Sequence, residues 1–344
     1  MIEYKTTELH KIVAHKIGNP AAENPLVISK SCLVLDLNTN NILKNYFLAA
    51  FKSEEYFQFF DETDVNLNET YISVKKIFDN PENLYEQSTI LANNLYELSN
   101  NEKIHEGELY VAYFKDIHIQ NELVDAIGLF KTESKDNFIT VTLSDDGLDV
   151  LCDVGTITKK MDRAVLILNL EAENGYYLNL INKGNQIECD CWEKEFLAIA
   201  QRKDACYKTQ NMLNICKNYF ENQMNKDFDV QRIDQVDLLN RTAEYFKEKD
   251  KFNLNKFKDE VIGLPEVSEN FSKFKENFQE EFEVELDDDF AISDYAVKKQ
   301  ARYLKSIIKL DKNFHIYVHG NKRNIEQGTD DNGKFYKLYY KEES

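Results

Sequence analysis

Glu108-Leu109-Tyr110-Val111-Ala112-Tyr113-Phe114-Lys115-Asp116-Ile117-His118 is followed, after Ile119-Gln120-Asn121, by Glu122-Leu123-Val124-Asp125-Ala126-Ile127-Gly128-Leu129-Phe130-Lys131. Both runs are rich in Val, Ile, Tyr and Phe, and the short polar break between them predicts a hairpin. Phe138–Leu143, Arg163–Leu170 and Tyr176–Ile181 continue the series, with turn residues at Asp145-Asp146-Gly147 and Asn174-Gly175. Consecutive strands joined by short turns predict an antiparallel sheet.

Helical periods flank these strands. Before them, Asn38–Asn41 can open a helix carrying Ile42, Leu43, Tyr46 and Phe47. A second helix is expected from Pro81 to Ser99, because Pro suits a first turn and Leu84, Leu91, Leu95 and Leu98 share a face. After the strands, Met212, Ile215, Cys216, Tyr219 and Phe220 form an i, i+3, i+4, i+7, i+8 stripe. Val236, Leu239, Ala243 and Phe246 mark a helix with Asp234 as N-cap. Phe257 and Val261 mark a short one stopped by Gly263 and Pro265. Ser268 would cap another bearing Phe271, Phe274 and Phe278. Further on, Tyr303–Leu310 and Phe314–His319 flank Asp311-Lys312-Asn313, and Lys334–Tyr340 follows Asp331-Asn332-Gly333. The expected fold class is therefore α+β. Residues 1–200 form an α+β domain with an antiparallel sheet, and 201–344 a helical domain ending in a small antiparallel sheet.

A chain of 344 residues has the length of two domains, and its 22 Phe and 19 Tyr are enough for two cores. With 4 Pro and 11 Gly, long linkers and Gly-rich loops are not expected. Met1-Ile2-Glu3-Tyr4-Lys5 lacks a signal-peptide pattern, and no apolar stretch reaches the roughly 20 residues of a membrane span. These features predict a cytoplasmic protein with no membrane partner. Cys32, Cys152, Cys189, Cys191, Cys206 and Cys216 show neither disulfide-framework nor zinc spacing.

The net charge of −19 argues against a surface that binds nucleic acid or anionic membrane throughout. Its distribution is more informative. Glu276–Asp294 holds nine acids and no Lys or Arg. From residue 298 to 323 there are eight bases, Lys298, Lys299, Arg302, Lys305, Lys309, Lys312, Lys322 and Arg323, against one acid, Asp311. Lys298, Arg302, Lys305 and Lys309 would share a helix face; on a strand Lys305 and Lys309 would share one too. Such focused charge is either a contact surface for a phosphate backbone, a face that pairs internally with the acidic block, or a solvated face. In the hairpin, Leu304, Ile308 and Leu310 should face the core with Phe314, Ile316 and Val318, leaving Lys305 and Lys309 in solvent.

Other constellations are weaker. Asp287-Asp288-Asp289 lacks the spacing and glycine of a calcium loop. Cys189-Asp190-Cys191 has no second Cys pair and no nearby His, and reads as packing. His315 and His319 would lie about 13 Å apart on a strand, too far for one metal ion; His10 and His15 carry no pattern. P-loop, dinucleotide, Gly-x-Ser-x-Gly and His-Glu-x-x-His motifs are all absent. No catalytic residue, metal or cofactor is expected, and the chain reads as a binding protein and not an enzyme.

Three segments carry a resemblance. They are Gly107–Asp116 with Val124–Lys131, Thr209-Gln210-Asn211-Met212-Leu213-Asn214-Ile215-Cys216-Lys217, and the run Val297–Gly320. In order and spacing they resemble the bacterial nucleoid-associated (NdpA-like) family, nearest its Bacteroidetes-type branch. The resemblance implies a nucleoid location, contact with DNA and partners that act on DNA topology, and leaves room for a homodimer. It brings no catalytic residues. A second reading is an acidic protein-interaction module that a DNA-handling partner recruits to the nucleoid.

Overall fold

The computed structural model describes residues 2–119, 122–145, 147–301, 307–318, 324–331 and 333–342. Gln120, Asn121, Asp146, Asn332, Arg302, Tyr303, Leu304, Lys305, His319, Lys322 and Arg323 lie outside them. The protein is α+β and divides into two compact units, Met1–Arg202 and Lys203–Ser344.

The first unit is built on a seven-stranded sheet of β1 (Glu8–Ile17), β2 (Phe57–Phe59), β3 (Gly107–Ile119), β4 (Glu122–Thr132), β7 (Arg163–Leu168), β8 (Tyr177–Asn182) and β9 (Ile199–Gln201). Its order is β1-β3-β4-β7-β8-β2-β9 and every described pairing in it is antiparallel. Its centre is covered on both faces. Alternate residues Val111, Ile127, Leu129, Val165 and Ile167 meet Leu84, Leu91 and Leu95, on one face of α3 (Leu84–Leu98). α2 (Glu69–Asp79) adds Tyr71, Val74 and Ile77 to that core. The other set, Phe114, Phe130, Ala164 and Leu166, meets Tyr46 and Phe47 of α1 (Leu37–Leu48). Phe47 stacks on Phe130 with ring centroids 4.1 Å apart. Gly128 makes this packing fit, because a Cβ there would lie 2.3 Å from the Phe130 ring. The cap of α1 is Asp36, which accepts from the Asn38 and Thr39 amides at 2.8 and 3.0 Å. Asn38 therefore lies inside the helix. α4 (Gln186–Asp190), opened by an Asn185–Glu188 capping box, runs into a π-helical turn that buries Trp192 and Phe196.

Between β4 and β7 the chain leaves the sheet as a separate ribbon, β5 (Lys135–Ser144) paired with β6 (Gly147–Thr156).

The second unit is mainly helical. α5 (Ala205–Asn218), capped by Asp204, passes through a π turn at 219–223 into α6 (Met224–Asp227). α7 (Arg232–Glu248), α8 (Leu254–Phe257) with a π turn to Ile262, α9 (Pro265–Glu281) and α10 (Asp294–Gln300) follow. β10 (Lys251–Asn253) pairs with β11 (Asp289–Ala291). The predicted stripe is buried: Met212, Ile215, Cys216, Tyr219 and Phe220 join Leu239, Phe246, Phe257 and Phe271 in one core. Two expected caps are corrected. Asp234 lies in the first turn of α7, whose cap position is Gln231. Ser268 lies within α9, because Pro265 is its first residue; the proline starts this helix and Gly263, at φ +77°, ends the one before.

The chain ends in two antiparallel hairpins, β12 (Ile307–Leu310) with β13 (Phe314–Tyr317), and β14 (Ile325–Asp330) with β15 (Gly333–Leu338). No helix among the described residues is long and apolar enough to cross a membrane.

Candidate nucleic-acid interface

α10 and the β12–β13 hairpin carry the described part of the basic segment. Ser293 caps α10, its hydroxyl accepting from the Ala296 amide at 3.3 Å, and its own amide donates to Thr209 Oγ1 of α5 at 3.0 Å. Ala296 is buried, while Lys298 and Lys299 sit exposed in the last turn. α10 stops at Gln300, so Lys298 and Lys309 do not share one helix face; Lys309 lies on a strand.

The hairpin rests on α7. Ile233 and Val236 pack with Ile308 and Val318, and Leu310 and Ile316 close the edge of this cluster. Asn240 Nδ2 donates to the Val318 carbonyl at 3.3 Å and Arg232 to the Ile307 carbonyl at 3.4 Å. The register pairs Lys309 with His315 and Ile308 with Ile316. Lys309, His315 and Tyr317 therefore share the outer face, and Lys312 is exposed in the turn. Phe314 departs from expectation. It is 66% exposed, because α7 supports the end of the hairpin away from the turn and Phe314 is at the turn end.

Three acids of Glu276–Asp294 find cations elsewhere. Lys203 meets Glu285 at 2.7 Å, Lys208 meets Asp287 at 2.5 Å, and the buried Lys275 meets Asp288 at 2.7 Å. Among the described residues Lys298, Lys309 and Lys312 form no ion pair, with this block or otherwise. The second hairpin carries both signs, Lys334 and Lys337 standing with Glu326, Asp330 and Asp331. Of the four remaining expected bases, Arg302, Lys305, Lys322 and Arg323 lie outside the described residues.

A second charged cluster, missed in the sequence, lies in the first unit. Lys131 and Arg163, 2% and 1% exposed, are cross-strand partners. Glu133 Oε1 takes Lys131 Nζ at 2.8 Å and also Arg163. Arg163 Nη1 reaches Glu188 at 3.3 Å, and His105 Nδ1 lies 2.5 Å from the same carboxylate. Burial pushes the Glu188 carboxyl up, but hydrogen bonds from His105 and the charge of Arg163 outweigh it and hold it below the usual carboxylate range. Asp162 is held low in the same way by Ser134 and the Glu133 amide. The only signal was a charged residue closing one apolar run and another opening a second. His105, Glu133 and Glu188 have ligand atoms within 4.8 Å of one another, as a cation would need. Their carboxylates are already neutralised by Lys131 and Arg163, so a divalent ion would have to displace a guanidinium. The Asp287–Asp289 carboxylates are likewise engaged, by Lys208, Lys275 and Asn253. Cys191 is buried with its thiol pointing to the Leu98 carbonyl at 3.6 Å.

The family model described as Nucleoid-associated protein YejK matches residues 9–332. Among curated proteins, none matches the chain.

Proposed function

The chain belongs to the nucleoid-associated protein YejK family, and from that premise we propose that it contacts DNA directly and without sequence preference through α10 and the β12–β13 hairpin. Lys298, Lys299, Lys309 and Lys312 would supply the charge, with Arg302, Lys305, Lys322 and Arg323 of the same segment. One observation carries this reading: Glu285, Asp287 and Asp288 of the acidic block pair with Lys203, Lys208 and Lys275, and Lys298, Lys309 and Lys312 stand exposed without an acidic partner among the described residues. Lysine is a point charge suited to phosphates, whereas base readout favours bidentate arginine. His315 and Tyr317 beside Lys309 offer rings for stacking where bases are unpaired.

The test is affinity for duplex DNA across a salt series. Binding should weaken steeply with salt, and Lys298→Glu/Lys309→Glu/Lys312→Glu should flatten the slope by about 0.9 per lost contact without changing the unfolding midpoint. A salt-independent response, or no binding at low salt, overturns the proposal.

The net charge of −19 favours a second reading, in which acidic surface engages a basic DNA-handling protein, for instance one acting on DNA topology. Association that survives nuclease treatment of a lysate would favour it; association lost on treatment favours direct DNA contact. A homodimer would double the number of basic patches on one DNA and raise avidity.

A further inference from the structure

In the second unit, α5, the π turn that follows it and α9 line a groove of about 530 Å³. One side of it is a row of side-chain amides. Asn211, Asn214, Asn218 and Asn222 recur at i, i+3, i+7 and i+11, and Asn277 of α9 joins them. The rest is aromatic. Phe274 and Phe278 of α9 line it with Phe282, just past the helix end, which is 56% exposed and has its ring 4.5 Å from that of Phe278. The asparagines do little for the helix that carries them. Asn is among the poorer helix formers, and Asn214 and Asn222 are exposed, outside the core. Their hydrogen bonds run along the row: Asn222 Nδ2 donates to Asn218 Oδ1 at 3.4 Å, and Asn218 Nδ2 to Asn214 Oδ1 at 3.0 Å. The Asn214 amide nitrogen and the Asn277 amide form no hydrogen bond among the described residues. The π turn at 219–223 interrupts the same stretch, and single π turns inside helices are frequent at functional sites.

Resting on the reading in which acidic surface engages a basic protein, we propose that this groove holds an extended segment of that partner. The asparagine row reads its backbone and the phenylalanines take its apolar side chains. A side-chain amide carries donors and an acceptor, as a peptide unit does, so each Asn can pair with an extended backbone. A helical segment has used those backbone groups internally and would leave the row unpaired. The row spans about 16 Å, room for about five extended residues. Charge decides against single-stranded nucleic acid, the other polymer that amides and aromatic rings suit. Glu280, Glu281 and Glu283 stand exposed at the end of α9 without an ion pair among the described residues, and Glu281 lines the groove itself. The C-terminal end of α9 adds its negative dipole there. Among the described residues the one cation lining the groove is Lys226, whose Nζ lies 3.5 Å from Gln223 Oε1. Such a rim repels phosphates and attracts lysine or arginine side chains.

The test is fluorescence anisotropy of the full chain with a labelled peptide of about eight residues, lysine alternating with leucine around one proline that keeps it from forming a helix. The peptide should bind. Asn214→Ala/Asn222→Ala should weaken it about tenfold or more, while the unfolding midpoint stays level or rises, since alanine is the better helix former. Phe282→Ser, a change at a half-exposed ring, is a second measure and should weaken binding likewise. A peptide that the wild type does not bind overturns both the groove and the acidic-surface reading. A peptide that the wild type and both variants bind equally, with affinity lost in salt, overturns the groove alone. A single-stranded oligonucleotide whose affinity falls in the asparagine variant reassigns the groove to nucleic acid and overturns the proposal too.

Discussion

Lys131 and Arg163 stand directly opposite one another across the β4–β7 pairing, two buried cations side by side, and a single Glu133 carboxylate oxygen is shared between them. Two like charges at this spacing would otherwise repel in a medium that screens poorly. Glu133→Gln removes the bridging charge and should cost about 3–5 kcal/mol. Urea denaturation checks this; a midpoint within error of wild type would mean that Glu188 alone balances both cations.

Acid should loosen the same cluster. Glu188 and Asp162 have folded-state values below their unfolded ones, so their contribution is present above the usual carboxylate range and is lost as pH falls through it. In Glu188→Gln the fall in unfolding midpoint below about pH 4.5 should be shallower than in wild type.

His15 adds an acid sensitivity at higher pH. It is buried, its Nδ1 accepts from the Ser29 amide at 3.2 Å, and its Nε2 lies 2.9 Å from the Ser88 hydroxyl, which itself donates to the Tyr85 carbonyl. This arrangement needs a neutral ring with the proton on Nε2. Burial lowers its pKa from 6.5 to about 4. The unfolded chain takes up a proton first, so stability is full above 6.5 and declines as pH falls from there to about 4. The slope contributed is at most about 1.4 kcal/mol per pH unit, and His15→Gln should remove it.

Lys275 and Asp288 should respond unequally. The lysine is buried and the aspartate 63% exposed. Lys275→Met frees a carboxylate that water solvates, and should be close to neutral. Asp288→Asn leaves a buried ammonium without its counter-charge and should cost about 1–3 kcal/mol. Equal losses in thermal unfolding would contradict this.

The C-terminal hairpin should come away without unfolding the helices beneath it. Ile308→Ala empties the centre of its contact with Val236 and should cost about 2 kcal/mol locally. Hydrogen exchange should accelerate in β12 and β13 while Met212 and Phe246 stay protected.

The sequence was legible where period and burial agree. Leu84, Leu91 and Leu95 and the Met212–Phe220 stripe are helical because each repeats on one face that is in fact buried. β3 and β4 were legible from their β-branched and aromatic content and the break between them. β1 was not, because His10, Lys11, His15 and Lys16 interrupt it and its register shifts between Leu9 and Lys11. The exposed position of Lys309 followed from alternation; that of Phe314 did not, since alternation says which face a residue is on and not how far the covering helix extends. The Lys131–Arg163–Glu133 cluster was hidden because Arg163 lies in a segment separate from Lys131 and Glu133 and meets them only through strand register.

The topology of the first unit sets an order of events on the ribosome. β1 is an edge of the sheet and its one strand partner there is β3, whose residues begin about ninety positions later in synthesis; β2 waits longer still, for β8 and β9. Ile12, Val13 and Ile17 therefore leave the exit tunnel with no strand of the sheet to join until Gly107–Ile119 has followed them. In that interval the nascent chain presents an unpaired apolar strand, the kind of segment that holding chaperones protect, and a ribosome stalled before β3 would release a fragment unable to close any part of its sheet.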